Sequence, residues 1–287
     1  MYIRICRKKG DFNVNRNRTL IIAIACLALA GAAVFFVQKW LNESADLRQV
    51  ESDMADLREE LDFSRSDPVQ AEDGTMYIEY NPYTPYFLGH DEFFCWMQMN
   101  DTPIDYPVAQ TPEDDEYFFL THEFTGRENR YGCPYVQYDQ AEDDDIIYIY
   151  AHNNANSTMF GTFVNFNEED YFNEHWQVTL DFADVRREYE IFAVMDIGLS
   201  DSRYEYWDVH NFNPDRPEET FLNQVIGMSY IKRYEGIDNL LGSEQYLCMM
   251  TCEYTHSHGR RIVFARLINE IPYDPEVNAE IISHEDR

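Results

Sequence analysis

Cys252 stands where an apolar run, Leu247 to Thr251, meets a polar stretch, so its thiol is held on one side and accessible on the other. A thiol attacks as thiolate, and with an ordinary pKa of about 8.5 it is mostly protonated at neutral pH, so it needs an imidazole or a cation beside it. His152 follows the apolar run Ile146 to Tyr150 and precedes the polar loop Asn153 to Ser157, which puts it too at a strand end facing a loop. Arg260 and Arg261 open a third apolar run, Ile262 to Ile268. A Cys, a His and an Arg at three strand ends supply a nucleophile, a general acid/base and a cationic partner for an oxyanion. Neighbours on a strand point to opposite faces, so only one of the two arginines serves, and the strand period alone leaves the choice between Arg260 and Arg261 open.

The remaining cysteines suggest less. Cys248 and Cys252 cannot bridge on one extended strand, because four steps of about 3.3 Å separate their Cα atoms by about 13 Å, beyond the limit of about 7 Å. Cys95, Cys133 and Cys248 are expected to be core or edge thiols, with a bridge through Cys95 or Cys133 left open. Cys252, His256 and His258 have metal-ligating types, but so polar a turn is expected to be solvated. Neither a metal nor a cofactor is expected. The acidic runs Glu113 to Glu116 and Glu142 to Asp145 lack the spacing of a calcium loop and are expected to be solvated faces.

These side chains need a rigid scaffold. Short apolar or aromatic runs separated by turn residues, Phe93 to Met99, Tyr117 to Leu120, Ile146 to Tyr150, Trp176 to Phe182, Tyr189 to Ile197, Leu247 to Thr251 and Ile262 to Ile268, predict strands. Glu218 to Tyr230, opened by Pro217, predicts a helix with Phe221, Val225 and Met228 on one stripe. Many strands and few helices indicate a mainly β fold, a closed barrel or sandwich decorated by helices. Asn81-Pro82-Tyr83-Thr84 predicts a turn.

Upstream, Leu20 to Val37 carries no charge and is long enough, at about 1.5 Å per residue, to approach the roughly 30 Å of a bilayer core. Six cations before it, against Asp11 alone, keep residues 1–19 in the cytoplasm and put the rest outside. Ala28-Leu29-Ala30 before Gly31 has the form of a signal-peptidase site, but the apolar run continues past it, which favours an uncleaved anchor. From Leu41 to Ser66, Leu47, Val50, Met54, Leu57 and Leu61 recur at helical spacing, and Asp67-Pro68 is the expected stop. Gln70 to Thr75 then reads as a linker. The expected organisation is a cytoplasmic segment 1–19, a transmembrane helix 20–38, a helix and linker 39–75, and a catalytic β-barrel domain 76–287.

The composition excludes some functions. With 45% apolar residues, 21 Tyr and 19 Phe the chain can bury a large core, so disorder is not expected. A net charge of −31 repels phosphate and argues against nucleic acid as a partner.

At the residues that could do chemistry, the sequence resembles the class B sortases, membrane-anchored transpeptidases of Gram-positive bacteria. Phe94-Cys95-Trp96-Met97-Gln98-Met99 followed by Ile104-Asp105-Tyr106-Pro107-Val108-Ala109-Gln110 is similar to the family's early strand and its I-D-Y-P-V-V-Q run. Glu116 to His122 resembles N-E-Y-Y-L-x-H. Tyr150-Ala151-His152 with Met159-Phe160-Gly161 resembles the segment holding the catalytic His, and Leu247 to Cys252 resembles the L-T-L-S-T-C strand that ends in the nucleophile. Arg260, Val263, Ala265 and Arg266 match the strand that supplies the catalytic Arg. The resemblance spans about residues 40–270. Ala151 replaces the usual Gly, and Met250 replaces a Ser two residues before the nucleophile.

The resemblance implies a barrel of about eight strands in which Cys252 cleaves a C-terminal, Asn-Pro-x-Thr-like sorting signal after Thr and forms a thioester. It implies as partners secreted proteins bearing that signal, and as acceptor an amine of a peptidoglycan precursor or a pilin Lys. His152 and Arg260 are the implied acid/base and oxyanion partner. Thr251, Met250 and Glu253, flanking the nucleophile, are the expected substrate contacts. A catalytically silent membrane-tethered assembly module and a hydrolytic cysteine peptidase are the alternatives.

Overall fold

The computed structural model describes residues 11–59, 61–198, 210–214, 217–255 and 258–285. The chain divides after Leu57 into two compact units. The first is a helix, α1 (Asp11–Glu59). From Leu20 it has a mean hydropathy of 2.9 over its most apolar 18 residues, none of them buried, so it is long and apolar enough to cross a membrane. No Gly or Pro interrupts it after Gly31, so the apolar and amphipathic stretches run on as one element. It stops at Glu59 rather than at Ser66: Asp62 accepts the Ser64 N–H at 2.9 Å in a side-chain turn that competes with helix.

The second unit begins with β1 (Pro68–Gln70) and β2 (Met76–Ile78), an antiparallel hairpin, so the expected linker is the turn between two strands. Then follow α2 (Thr84–Gly89), β3 (Phe93–Gln98), β4 (Asp105–Gln110), β5 (Tyr135–Val136), β6 (Ile146–Tyr150), α3 (Glu169–Glu174), β7 (Gln177–Asp181), β8 (Val185–Gly198), α4 (Glu218–Met228), β9 (Ile231–Lys232), β10 (Tyr246–Glu253), β11 (Gly259–Pro272) and α5 (Ala279–Glu285). The order β11-β10-β6-β5-β4-β3-β7-β8 closes on itself because β8 also pairs with β11 over most of their lengths, giving an eight-stranded barrel with β9 added on β8. This is the mainly β, closed barrel expected from the alternation of runs and turns. The expected turn at Asn81 forms and is buried, with Asn81 accepting the Tyr83 N–H at 2.9 Å.

Burial on both faces explains why β10 is apolar almost throughout. Tyr246, Cys248 and Met250 share one face with Tyr148, Ile262 and Phe264 of the neighbouring strands, and α4 covers that face with Phe221, Leu222, Val225 and Ile226. By the two-residue period of a strand, Leu247, Met249, Ile147, Ile149, Val263 and Val194, all fully buried, face the opposite way, into the barrel. Glu218 and Glu219 in the first turn of α4 suit its N-terminal dipole.

Two further expectations are corrected. Tyr117 to Leu120 is no strand: Asp115 accepts the Tyr117 N–H at 3.1 Å, and a 3-10 turn follows at Phe118–Leu120, with Phe118 stacked on His122 at 3.8 Å. The run Glu142 to Asp145 is not wholly solvated. Asp144 is buried, taking bonds from Gln140, the Ala141 N–H and Asn211, and Asp145 receives the Phe212 N–H at 2.6 Å.

Candidate active site

The strand register sets three side chains level. Cys252 of β10 faces Arg260 of β11 across the antiparallel ladder. On its other side β10 runs parallel to β6, with Met250 opposite Tyr150, and carrying that register on by two residues brings His152 beside Cys252. Neighbouring strands lie about 4.8 Å apart, so Cys252 stands beside the guanidinium-bearing β11 on one side and the segment that follows β6 on the other. All three residues are half-buried. One step back along the strands lies the row Tyr135, Tyr150, Met250 and Ile262, with the Tyr135 and Tyr150 rings stacked at 5.5 Å.

Hydrogen bonds hold the His152 segment to the nucleophile's strand. The Ala151 N–H donates to Met250 O at 3.1 Å, the Thr251 hydroxyl to Ala151 O at 2.7 Å, and Asn153 Nδ2 to Cys252 O at 2.7 Å. Tyr254 adds its hydroxyl to Asn153 O at 3.1 Å. His152 Nε2 lies 2.8 Å from Leu120 O, and since a carbonyl only accepts, Nε2 carries the proton and Nδ1 is left for exchange. The loop beyond closes with the Phe160 N–H on His152 O at 3.0 Å. Gly161 fits there because a Cβ would stand 2.1 Å from Asn154 O. Gly132, at φ +60°, plays the same part for the segment carrying Leu120, where a Cβ would meet Phe119 O at 2.3 Å.

The two arginines differ in their partners. Arg261 is 6% exposed, and its guanidinium makes two 2.7 Å bonds to Asp196 and further bonds to Phe163 O and Asn167. Arg260, on the Cys252 side, bonds the carbonyl of Gly259 and has no carboxylate partner among the described residues.

Among the described residues the cysteines are unbridged. Burial pushes the Cys133 and Cys248 thiols well up, which keeps both protonated. Burial also raises the Tyr135 phenol, with Tyr117, Glu116 and Cys252 adding to the effect and Arg260 opposing it. Tyr254, 75% exposed at the mouth, is raised by the burial of its hydroxyl and by Cys252, again against Arg260.

Of the expected substrate contacts, Met250 is 5% exposed within the cluster under α4, and Thr251 is 2% exposed with its hydroxyl used by Ala151. Glu253 is buried and accepts the Thr255 N–H at 2.6 Å. Thr251 and Glu253 alternate to the face opposite Cys252. His256 lies outside the described residues. Asn153, Tyr135 and Tyr254 did not emerge from sequence; Tyr254 alone had a signal, standing two residues after Cys252 and so on its strand face.

A search of family models finds no match. Clostridium perfringens sortase B is 30% identical, and the match covers 62% of this chain and 94% of that one with a TM-score of 0.55. This chain is a class B sortase. Listeria monocytogenes sortase B is 23% identical over 180 residues, 61% of this chain and 69% of that protein. The Bacillus anthracis sortase B structure in complex with AAEK1 shares the fold at 21% identity and a TM-score of 0.62, over 78% of this chain and 99% of that one. As a sortase the chain is in general terms a cysteine transpeptidase, and half-buried Cys252 contrasts with the buried thiols of Cys95, Cys133 and Cys248.

Proposed function

We propose that this sortase is a single-pass membrane enzyme, N-terminus inside, with a cytoplasmic segment 1–19, a transmembrane helix 20–38, an extracytoplasmic helical stretch 39–57 and an extracytoplasmic catalytic unit 58–287. The six cations ahead of the apolar segment support that orientation. Cys252 passes its thiol proton to Nδ1 of His152 and, as thiolate, attacks the carbonyl carbon after Thr in an Asn-Pro-x-Thr-like signal near the C-terminus of a secreted protein. Arg260 binds the oxyanion, the C–N bond breaks, and His152 hands the leaving amine a proton from Nδ1. The acyl-thioester is then attacked by an amine of a wall precursor or of a pilin, which loses its proton to His152 as the C–S bond breaks and a new amide forms. A Streptococcus pyogenes class B sortase involved in pilus biogenesis shares the fold at 24% identity. Met250, one row below Cys252, shapes the groove floor, while Thr251 and Glu253 act by holding the strand. The pairing of Cys252 with Arg260, together with the bonds that tie Ala151 and Asn153 on either side of His152 to the Cys252 strand, supports this reading.

The test is intact mass of the full chain in detergent after incubation with Asn-Pro-x-Thr and Leu-Pro-x-Thr peptides. Wild type is expected to gain the mass of the peptide's N-terminal fragment, and Cys252→Ala to gain nothing. Equal adducts on both proteins, or no adduct with any peptide, overturn the proposal. Added triglycine should divert product from free acid to amide; acid alone would identify a hydrolytic peptidase.

A further inference from the structure

Residues 58–287 contain thirteen arginines and a single lysine, Lys232. The difference is chemical. A guanidinium stays protonated at every working pH and does not attack an acyl group, whereas a lysine amine does once deprotonated. A unit whose cations are nearly all arginines keeps its ion pairs and offers almost no nucleophilic nitrogen.

Lys232 is also placed out of reach. It pairs with Ala193 of β8, whereas Arg260, the partner of Cys252, pairs with Ile197 of the same strand. Four residues along β8 are about 13 Å, and the three strand spacings from β10 through β11 and β8 to β9 add about 14 Å across, so the two Cα atoms lie on the order of 19 Å apart. The Lys232 ammonium is turned to Ile226 O at 3.3 Å and Glu235 at 3.6 Å. The remaining lysines, Lys8, Lys9 and Lys39, and the amino terminus belong to the N-terminal unit.

We infer that the catalytic unit is built as a non-acceptor: it holds the Cys252 thioester away from any amine of its own, so the amine that resolves it is not one of residues 58–287 of the same molecule. The inference rests on the thioester mechanism proposed above. The reaction it excludes is transfer in which a lysine nitrogen of residues 58–287 forms the amide, the acyl C–S bond breaks, and the amine proton ends on the freed thiol.

The experiment supplies the acyl group as a C-terminal alkyl thioester of acetyl-Asn-Pro-Ala-Thr, with no acceptor amine, to the full chain in detergent. Hydroxylamine then strips thioesters and leaves amides, and peptide mapping reads residues 58–287. Wild type should carry label that hydroxylamine removes completely. Tyr254→Lys, and separately Glu116→Lys at an exposed position near Tyr135, should accumulate hydroxylamine-resistant label at the new lysine at least tenfold above wild type. Resistant label on wild-type Lys232, or none on either variant while Cys252 acylates normally, overturns the inference. Failure of Cys252 itself to acylate, with Cys252→Ala as reference, instead overturns the mechanism beneath it.

Discussion

Opposite ends of the β8 and β11 pair hold the same residue types in different states. Where β7 turns into β8, Asp181 is fully enclosed and receives Arg186 at 2.6 Å and the Tyr273 hydroxyl at 2.5 Å, while Asn81 nearby donates to Phe182 O at 2.7 Å. At the other end, Arg260 stands half-buried opposite Cys252 without such a carboxylate, although its neighbour Arg261 is fully engaged by Asp196. A charge locked in a buried pair contributes to one packed arrangement, and removing its partner strands the other charge. A cation left open at a strand end is available to a charge that develops during reaction. The contrast between Arg260 and Arg261 repeats the contrast between the two ends within one residue of chain.

The sharpest way to break that contrast is at the nucleophile: Cys252→Ala should abolish turnover entirely while the melting temperature stays at the wild-type value, read by peptide cleavage and calorimetry together. Arg260→Ala should lower kcat/KM by about 10²–10³-fold with little change in melting temperature. Its neighbour is expected to do the reverse, because Arg261→Ala leaves Asp196 without its partner, at a cost of about 3–5 kcal/mol in denaturant unfolding. If Arg260→Ala unfolds the protein and Arg261→Ala spares it, the assignment of the two arginines is inverted. Asn153→Ala removes the bond that ties the residue after His152 to the backbone of Cys252, and should reduce kcat about tenfold with KM unchanged, as the loss of one hydrogen bond of about 1.4 kcal/mol would.

The smallest effect is a pH dependence in the loop after Leu120. Burial works to raise the Glu123 carboxyl, but bonds from Arg127 at 2.5 Å, Thr125 at 3.0 Å and Asn129 outweigh it and hold the group below the ordinary carboxylate range. A carboxyl depressed in the folded state adds stability above its unfolded pKa of about 4.3, and that stability is lost as the pH falls through the folded value. Arg127 is half exposed, so the contribution is below about 1 kcal/mol. The melting-temperature gap between wild type and Glu123→Gln should therefore narrow as the pH drops below about 4; a constant gap would refute the assignment.

Much of this was legible in the sequence. Six of the eight ring strands follow from apolar runs, because a strand buried on both faces cannot disguise its composition. The strand ends that carry His152, Cys252 and Arg260 follow from the same runs. The rest depends on tertiary partners. β5 has two residues, too few for any pattern, and β4 contains Pro107, which propensity argues against. The choice of Arg260 over Arg261, which the resemblance implies, gains its physical content only from Asp196, a residue of another strand. Thr251 and Glu253 look like groove residues from their position beside Cys252, and only the pleat shows that they turn away from it. Asn153 is one polar residue in a polar loop until its amide is seen on the carbonyl of Cys252.

The bond from Thr251 to Ala151 joins residues 100 positions apart, and the strand that bears Cys252 fits between β6 and β11, the last strand of the barrel. A chain synthesised from its N-terminus presents His152 long before Cys252, and its barrel is still open when Cys252 emerges. Contacts this distant form late in folding. Until β11 has zipped onto both β10 and β8, the new chain carries the Cys252 thiol and the Arg260 guanidinium on strands that do not yet face each other.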